Sequence, residues 1–125
     1  FRNNAPIGMY MKDADGRYLM LNPEMEKVFG KPVEEVLGRT ASDLFGPEEA
    51  AMISASDREV LRTGQPRSVE EFLPGHEEYA WSLVVRFPIV LQDGEPTRIG
   101  GFDIDISDLK RAEAELQRSR EALYQ

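Results

Sequence analysis

The stretch that decides the fold is Gly100 to Glu113, GGFDIDISDLKRAE, because its hydrophobic periodicity changes within a few residues. Phe102, Ile104 and Ile106 alternate with aspartates, which is the period of a strand with one buried face. Beyond Ser107 the apolar spacing becomes that of a helix. The sequence therefore predicts a strand that runs without a loop into a charged helix, and such a junction can carry a mechanical change out of a domain.

The predicted helix carries a seam of leucines, Leu109, Leu116 and Leu123, in which the leucines are seven residues apart. This spacing is typical of a coiled coil, in which the same helix of a second subunit covers the seam. The seam is short, so a homodimer would need further contact surface. The interpretation that stays open beside it is a helix that folds back on its own sheet or is partly frayed.

The composition fits one globular domain over residues 1–106 and a linker helix over residues 107–125. The chain has 125 residues, of which 41% are hydrophobic, and this is enough for one core of ordinary size. The formal net charge is -8. Because nucleic acids and anionic lipids bind basic surfaces, we expect neither as a partner.

The chain contains no cysteine, which excludes disulfides, thiol catalysis and thiolate metal sites. This composition suits a reducing compartment, and we expect a cytoplasmic location. Every apolar run is shorter than the roughly 20 residues that a membrane-spanning helix needs. The first residue is Phe1, so we expect a segment of a longer parent protein, which could itself be membrane-anchored.

Turn and cap signals divide the rest of the chain into short elements. Alternating apolar residues bounded by Gly, Pro and Asp predict strands at residues 7–12, 18–22, 68–73, 79–91 and 97–106. After the second strand, Asn22 and Pro23 open a helix, two short segments follow, and Pro47 begins a longer helix that ends at Thr63. This order predicts an α+β fold, a five-stranded antiparallel sheet with short helices on one face.

Several local strings occur in an order that matches a known family. They are Ala5-Pro6-Ile7-Gly8, Lys12 to Tyr18, Leu21-Asn22-Pro23, Arg86-Phe87-Pro88 with Asp93-Gly94-Glu95, and Asp105-Ile106-Ser107 with Lys110 to Glu113. Together, over nearly the whole chain, they resemble a PAS domain, the sensory and dimerisation module of bacterial signalling proteins. The resemblance implies a sheet that cups a hydrophobic pocket beneath the short helices. It also implies a last helix that runs toward an effector domain, commonly a histidine kinase or a diguanylate cyclase.

Apolar residues of the predicted helices and strands are the candidates to line such a pocket. They are Met9, Met11, Phe29, Leu44, Phe45, Met52, Leu61, Phe72, Trp81, Leu83, Val85 and Phe102. In the strand over residues 79–91, Trp81, Leu83 and Val85 share one parity, although Val84 interrupts the alternation. The same residues would equally form a filled core, and periodicity does not separate the two cases.

The resemblance also bears on cofactors. Flavin-photochemical relatives use a reactive cysteine, and haem-binding relatives commonly use a histidine of the long helix. This chain has no cysteine, and its single histidine, His76, falls in a predicted loop, so we expect neither a flavin photoadduct nor haem. Asp13 and Asp15 lack the further oxygen donors of a calcium loop, and we expect no metal site. Other paired carboxylates are expected on a solvated face: Glu70, Glu71, Glu77, Glu78, Asp103 and Asp105.

Asp105, Ile106 and Ser107 are expected to form the joint between the last strand and the helix. Asp105 and Ser107 suit a helix cap. The chain shows no nucleophile beside a base and no phosphate-cradling glycine loop, so we do not expect this segment to be an enzyme. The leading hypothesis is a sensory module that receives a small ligand or a conformational input and transmits it through the helix. The alternative is a ligand-free dimerisation module.

Overall fold

The protein is built on an antiparallel sheet whose strands follow the predicted segments. The computed structural model describes residues 6–76, 78–92 and 97–124. The strands are β1 (Ile7–Lys12), β2 (Tyr18–Leu21), β3 (Arg67–Phe72), β4 (Trp81–Ile89) and β5 (Arg98–Asp105). They lie in the order β2-β1-β5-β4-β3 in one five-stranded sheet. The predicted fold class is confirmed; β1 has the predicted ends, and the ends of the other strands differ from the prediction by at most two residues.

Four helices connect β2 to β3, and one more follows β5. After a 3-10 turn at Pro23–Met25, they are α1 (Glu26–Phe29), α2 (Val33–Val36), α3 (Ala41–Leu44), α4 (Pro47–Thr63) and α5 (Ser107–Leu123). Gly64, with φ of 69°, ends α4 in the left-handed conformation that glycine adopts without strain. The first three helices have four residues each, so they depend on packing against the sheet.

The hairpin between β1 and β2 is held by the side chain of Asp13. Its Oδ1 accepts the backbone N–H of Asp15 at 3.0 Å and that of Arg17 at 2.9 Å. This turn chemistry accounts for the aspartates of the loop. Other residues named from the sequence, Ala5, Glu77 and the predicted turn from Asp93 to Glu95, lie outside the described residues.

The two faces of the sheet differ in what covers them. Lys12 and Arg86 point toward the helices, since both reach Asp57 of α4. This helix-side face also carries Tyr10, Glu71, Ser82, Val84, Ile99, Gly101 and Asp103. Because side chains alternate along a strand, the neighbouring residues form the opposite, outer face. The outer face carries Met9, Met11, Phe72, Trp81, Leu83, Val85, Phe87 and Phe102.

The apolar core lies between the helix-side face and the short helices. Its buried members are Tyr10, Tyr18, Met25, Val28, Val36 and Tyr79. The ring of Tyr10 lies over Gly101, where a Cβ atom would come within 2.1 Å of the ring. Only glycine leaves room for the tyrosine at this point of β5.

The terminal helix α5 leaves the body of the domain after its first turn. Ser107 is buried and Lys110 is half-buried, but every residue from Arg111 to Tyr124 is exposed. The prediction of a strand that runs directly into a helix is confirmed, since β5 ends at Asp105 and α5 begins at Ser107. Among the described residues, no helix has both the length and the apolar content to cross a membrane.

Candidate functional site

Four ionisable side chains contact one another on the helix-side face: Lys12, Asp57, Glu71 and Arg86. Asp103 is buried on the same face, and we call these five residues the charge cluster. Lys12 Nζ lies 2.6 Å from Asp57 Oδ2, and Arg86 Nη1 donates to Glu71 Oε2 at 2.8 Å. Arg86 Nε lies 3.4 Å from Asp57 Oδ1, so Asp57 joins the two cations. The cluster ties β1, β3 and β4 to α4.

Each member comes from a different element, and the sheet register explains how they meet. Lys12 ends β1 and is paired with Ile99 of β5, while Arg86 of β4 is paired with Gly101 of β5. Gly101 has no side chain, which leaves the space between the two cations to Tyr10. Lys12 Nζ also lies 5.3 Å from the ring centroid of Tyr10 and 5.1 Å from that of Tyr18. Such cation–π contacts stabilise a buried ammonium group.

Burial and neighbouring charges act against each other in this cluster. Burial lowers the pKa of the Lys12 ammonium, and the Asp57 carboxylate opposes that shift. Burial likewise disfavours the Arg86 cation, but surrounding anionic groups, Glu71 and Asp57 among them, raise the pKa of Arg86 on balance. Burial raises the pKa of Asp103 to about 7. Burial therefore shifts the pKa of the Asp103 carboxyl group and that of the Lys12 ammonium group in opposite directions, in each case toward the uncharged form.

The sequence placed Glu71 and Asp103 on a solvated face, and the structure corrects this. Both carboxylates are buried, with exposed fractions of 6% and 7%. The physical reason is the parity of the strands: Glu71 is paired with Ser82, and Asp103 with Val84, both of which point toward the helices. Glu70 and Asp105 are exposed, as expected.

Three of the predicted pocket residues do lie beneath or among the short helices. Phe29, Leu44 and Phe45 are partly buried and pack against the core cluster. The rings of Phe29 and Phe45 are 5.5 Å apart, and the ring of Phe29 is 5.2 Å from that of Tyr18. Leu61 of α4 is half-buried. Phe29, Leu44 and Phe45 therefore belong to the layer between the core cluster and the short helices.

Seven other predicted pocket residues lie on the outer face of the sheet, away from the short helices: Met9, Met11, Phe72, Trp81, Leu83, Val85 and Phe102. Their position differs from the expectation because the apolar parity of β4 and β5 faces outward, and the parity that carries Ser82 and Arg86 faces the helices. Met52 also differs from the expectation, since it lies on the exposed side of α4. Val84 is apolar and lies on the same side of β4 as Ser82 and Arg86. In the sequence it was the signal that this side of the strand is the buried one.

The outer face contains an apolar groove of 380 Å³. Met9, Met11, Met20, Phe87 and Phe102 are among the side chains that line it. The rings of Phe87 and Phe102 are 5.5 Å apart. The groove is open to solvent, and Met9 is 47% exposed.

The joint between β5 and α5 is held by hydrogen bonds to the first residue of β4. Ile106 N–H donates to the carbonyl oxygen of Trp81 at 3.0 Å, and Trp81 N–H donates to Ser107 Oγ at 3.1 Å. Asp105 Oδ1 accepts the Ser107 N–H at 2.9 Å. Burial disfavours the Asp105 carboxylate, but the hydrogen bonds from Ser107 outweigh it and lower the pKa of Asp105. Asp105, Ile106 and Ser107 therefore come together at one point.

Lys110 adds an electrostatic contact one turn into α5. Its Nζ lies 2.6 Å from Glu70 Oε1 of β3 and 4.9 Å from the ring centroid of Trp81. In the sequence, Lys110 stood only within a string that resembles the family, and its contacts with Glu70 and Trp81 were not predicted. Its position four residues after Ile106, whose carbonyl accepts the Lys110 N–H, was the available signal.

The leucine seam is exposed along α5. Leu109 and Leu116 are more than half exposed, and Leu123 is 79% exposed. The seam does not fold back onto the sheet, which was one part of the alternative left open above; the other part, a partly frayed helix, stays a prediction. His76 lies in the turn after β3 and is half-buried. Within the described ranges, no three His, Asp or Glu side chains are arranged to hold a metal ion.

Comparison with known proteins places this architecture in a family. The family model described as the PAS fold matches residues 3–111 of the chain. The chain belongs to the PAS family. The PAS domain of BvgS from Bordetella pertussis is a similar solved structure, with a TM-score of 0.67 and 26% sequence identity over 90% of this chain and 88% of that chain.

Sequence relatives of this PAS domain are larger signalling proteins. A methanogenesis regulatory histidine kinase, FilI, from Methanothrix harundinacea is 34% identical over 111 residues, or 86% of this chain and 12% of that protein. A diguanylate cyclase from Vibrio cholerae is 29% identical over 98% of this chain and 37% of its own length. The chain thus spans a small part of the relatives it matches. It is a PAS sensory domain of the kind found in histidine-kinase-like signalling proteins.

Proposed function

We propose that this PAS domain is the regulatory input module of a larger, cytoplasmic signalling segment, and that α5 transmits its state to a downstream effector. A histidine kinase is our first candidate for that effector, because FilI is a histidine kinase and a PAS-fold model matches the chain. The input would be a small ligand or a conformational change.

The single observation that carries the proposal is the joint at Asp105, Ile106 and Ser107. A loop would absorb a displacement of β5, but here one residue, Ile106, separates the strand from the helix. Ile106 N–H donates to the Trp81 carbonyl oxygen and Ser107 Oγ accepts the Trp81 N–H, so the base of α5 is part of the sheet. A shift between β4 and β5 therefore changes the direction in which α5 leaves the domain.

Replacing Asp105 by alanine tests the joint. Ile106 is the N-cap residue of α5 and no side chain caps the helix, so the expected cap at Asp105 is wrong and its role is the hydrogen bond from the Ser107 N–H. We expect Asp105→Ala to leave the domain folded, with a loss of about 1 kcal/mol, which is typical of one lost hydrogen bond. We expect it to abolish the dependence of effector output on the input in the longer protein. Asp108→Ala, in the exposed first turn of the same helix, is the matched control and should leave that dependence intact.

The measurements are urea unfolding of this chain and the output of the longer protein with and without its input. An Asp105→Ala protein whose output still responds fully to the input would contradict the assignment of the joint. A protein that no longer folds would be followed by Asp105→Asn, which keeps an oxygen able to accept the Ser107 N–H.

A second candidate function is a ligand-free dimerisation or assembly module. The specific observation that favours it is the apolar outer face, where Met9 is 47% and Phe72 is 48% exposed. The seam of Leu109, Leu116 and Leu123 would extend such a homodimer along α5.

Native mass spectrometry of the purified chain separates the two candidates. A reproducible extra mass supports a bound ligand, and a clean dimer without extra mass supports assembly. Met9→Glu would weaken a dimer formed through the outer face, and Leu116→Glu would weaken one formed through the seam. A monomer at every concentration, with no extra mass, would contradict the assembly function for this segment.

A further inference from the structure

The charge cluster does not balance its charges. It contains two cations, Lys12 and Arg86, and three carboxylates, Asp57, Glu71 and Asp103. The exposed fraction of each of the five residues is below one-tenth. A buried charge without a partner is costly, and a titratable group in that position takes up a proton instead. One proton held by a carboxylate would make the cluster neutral.

Hydrogen bonds indicate which carboxylate holds that proton. Asp57 accepts from Lys12 at 2.6 Å, and Glu71 accepts from Arg86 at 2.8 Å. Within residues 6–76, 78–92 and 97–124, no side chain is found to donate a hydrogen bond to Asp103. Its register partners are Gly8 and Val84, neither of which carries a polar side chain. In the described part of the chain, Asp103 is therefore the carboxylate to which neither cation donates a hydrogen bond, although Asp57 Oδ1 and Arg86 Nε also lack one.

Ionisable groups face Asp103 from every element packed around it. Those that act on it or respond to it electrostatically are Tyr10 and Lys12 of β1, Tyr18 of β2, Glu71 of β3, Tyr79 before β4, and Arg86 of β4. Asp57 of α4 completes the cluster through Lys12 and Arg86. Asp105, on the same strand, also points to this side of the sheet but lies at its exposed end.

We propose that Asp103 is a proton-binding site of this PAS domain, so that the hydrogen ion is one input that reaches the joint between β5 and α5. The binding of the proton stands on the geometry of the cluster. Its transmission to α5 rests on the function proposed above.

Burial and the neighbouring charges together set the pH range in which Asp103 binds and releases a proton. Burial raises the pKa of Asp103 to about 7, with Arg86 and Lys12 opposing the shift and Glu71 adding to it. When the proton leaves, the Asp103 carboxylate competes with Asp57 and Glu71 for the same two cations. Since those cations tie β1 and β4 to α4 and β3, the competition changes contacts on both sides of β5.

The distance along β5 from the proton site to the joint is short. Asp103 lies two residues before Asp105, whose Oδ1 accepts the Ser107 N–H at 2.9 Å. Asp103 is also paired with Val84 of β4. Val84 lies three residues after Trp81, and Trp81 is hydrogen-bonded to Ile106 and Ser107. A change at Asp103 therefore acts on the two strands that fix the base of α5.

The proton site is tested by following the side-chain carboxyl 13C signals of the aspartates of this chain by NMR during a pH titration. We expect the Asp103 signal to move with a midpoint near pH 7 and to be missing in Asp103→Asn. Asp15→Asn, in the exposed turn after β1, should leave that midpoint unchanged. A midpoint below about 5 in the wild-type chain, which is the range of an ordinary carboxyl group, would overturn the proposal without any variant.

Transmission is tested separately by amide hydrogen exchange of Ser107 to Lys110. Protection factors are obtained at about pH 6 and about pH 8 by correcting the exchange rates for base catalysis. We expect the protection factors of the wild type to differ several-fold between the two pH values, and those of Asp103→Asn to be the same. A neutral midpoint with unchanged protection would keep the proton site and refute its link to α5. An ordinary midpoint would refute the proton site and leave the proposed function to its own test.

Discussion

The helix-side face and the outer face of the same sheet carry opposite kinds of side chain. On β4, Arg86 is 2% exposed beneath the helices, while its neighbours Val85 and Phe87 are only half-buried on the outer face. The helices supply Asp57 to the buried face, and the neighbouring strands supply Glu71 and Lys12. A charged side chain is therefore buried in this domain where oppositely charged partners surround it, and an apolar side chain can stay partly exposed.

The largest expected effect is the loss of the cation at the centre of the helix-side face. Arg86→Met should lower the free energy of unfolding by about 3 to 5 kcal/mol, because Glu71 is left buried without its partner. Val85→Ala, one residue away on the outer face, should cost about 1 kcal/mol. Urea unfolding of both variants measures the difference.

A double variant sharpens that result. Glu71→Leu combined with Arg86→Met removes both charges, and we expect it to recover part of the stability that Arg86→Met loses. Equal losses from Arg86→Met and Val85→Ala would mean that the two faces do not differ as described.

The pH dependence of stability compares two aspartates on one strand. The pKa of Asp103 is raised from 3.8 to about 7, so the native state binds the proton more tightly than the unfolded state does. The contribution of Asp103 is present in full below pH 3.8 and is lost as the pH rises through about 7. The pKa of Asp105 is lowered, so its contribution is present above 3.8 and is lost as the pH falls through its folded value.

Thermal or urea unfolding from about pH 4 to about pH 8 measures the contribution of Asp103. We expect the free energy of unfolding to fall by a few kcal/mol over this range. Asp103→Asn should flatten the decline over this range, and Asp105→Asn should leave it in place. A wild-type protein that becomes more stable across the whole range would contradict the expected sign.

Two adjacent glycines of β5 give the smallest and most direct comparison. A Cβ atom at Gly101 would meet the Tyr10 ring at 2.1 Å, and one at Gly100 would meet the Phe87 ring at 2.5 Å. Tyr10 is enclosed by the core, so Gly101→Ala should cost about 1 to 3 kcal/mol. Phe87 faces the open groove and can turn outward, so Gly100→Ala should cost less. Differential scanning calorimetry of the two variants would show equal losses if the outer face were packed as tightly as the core.

Local signals in the sequence predicted the elements and the joint well. The Asp-Gly turn before Arg17, the proline that opens α4 and the change of period near Ser107 are all properties of neighbouring residues, and the structure follows them. The orientation of the sheet was not predictable in the same way. Trp81, Leu83 and Val85 look like a buried stripe until Val84 and Ile99 are seen to face the helices.

The charge cluster could not be predicted because its bonds join distant parts of the chain. Lys12 and Asp57 are 45 residues apart in sequence, and nothing local to either residue indicates the other. Asp103 in the sequence looks like any solvated aspartate of an alternating strand. Its burial depends on the register of β5 between β1 and β4, which only the folded sheet supplies.

The exposure of α5 beyond its first turn gives the helix the geometry of a lever arm. Seventeen residues belong to α5, and only Ser107 and Lys110 at its base touch the body of the domain closely. At a rise of about 1.5 Å per residue the arm is roughly 26 Å long, so a tilt of about 10° at the base moves its tip by about 4 Å. A displacement in the sheet too small to break a hydrogen bond is thus multiplied along the helix, and its size at the tip grows with the length of the arm.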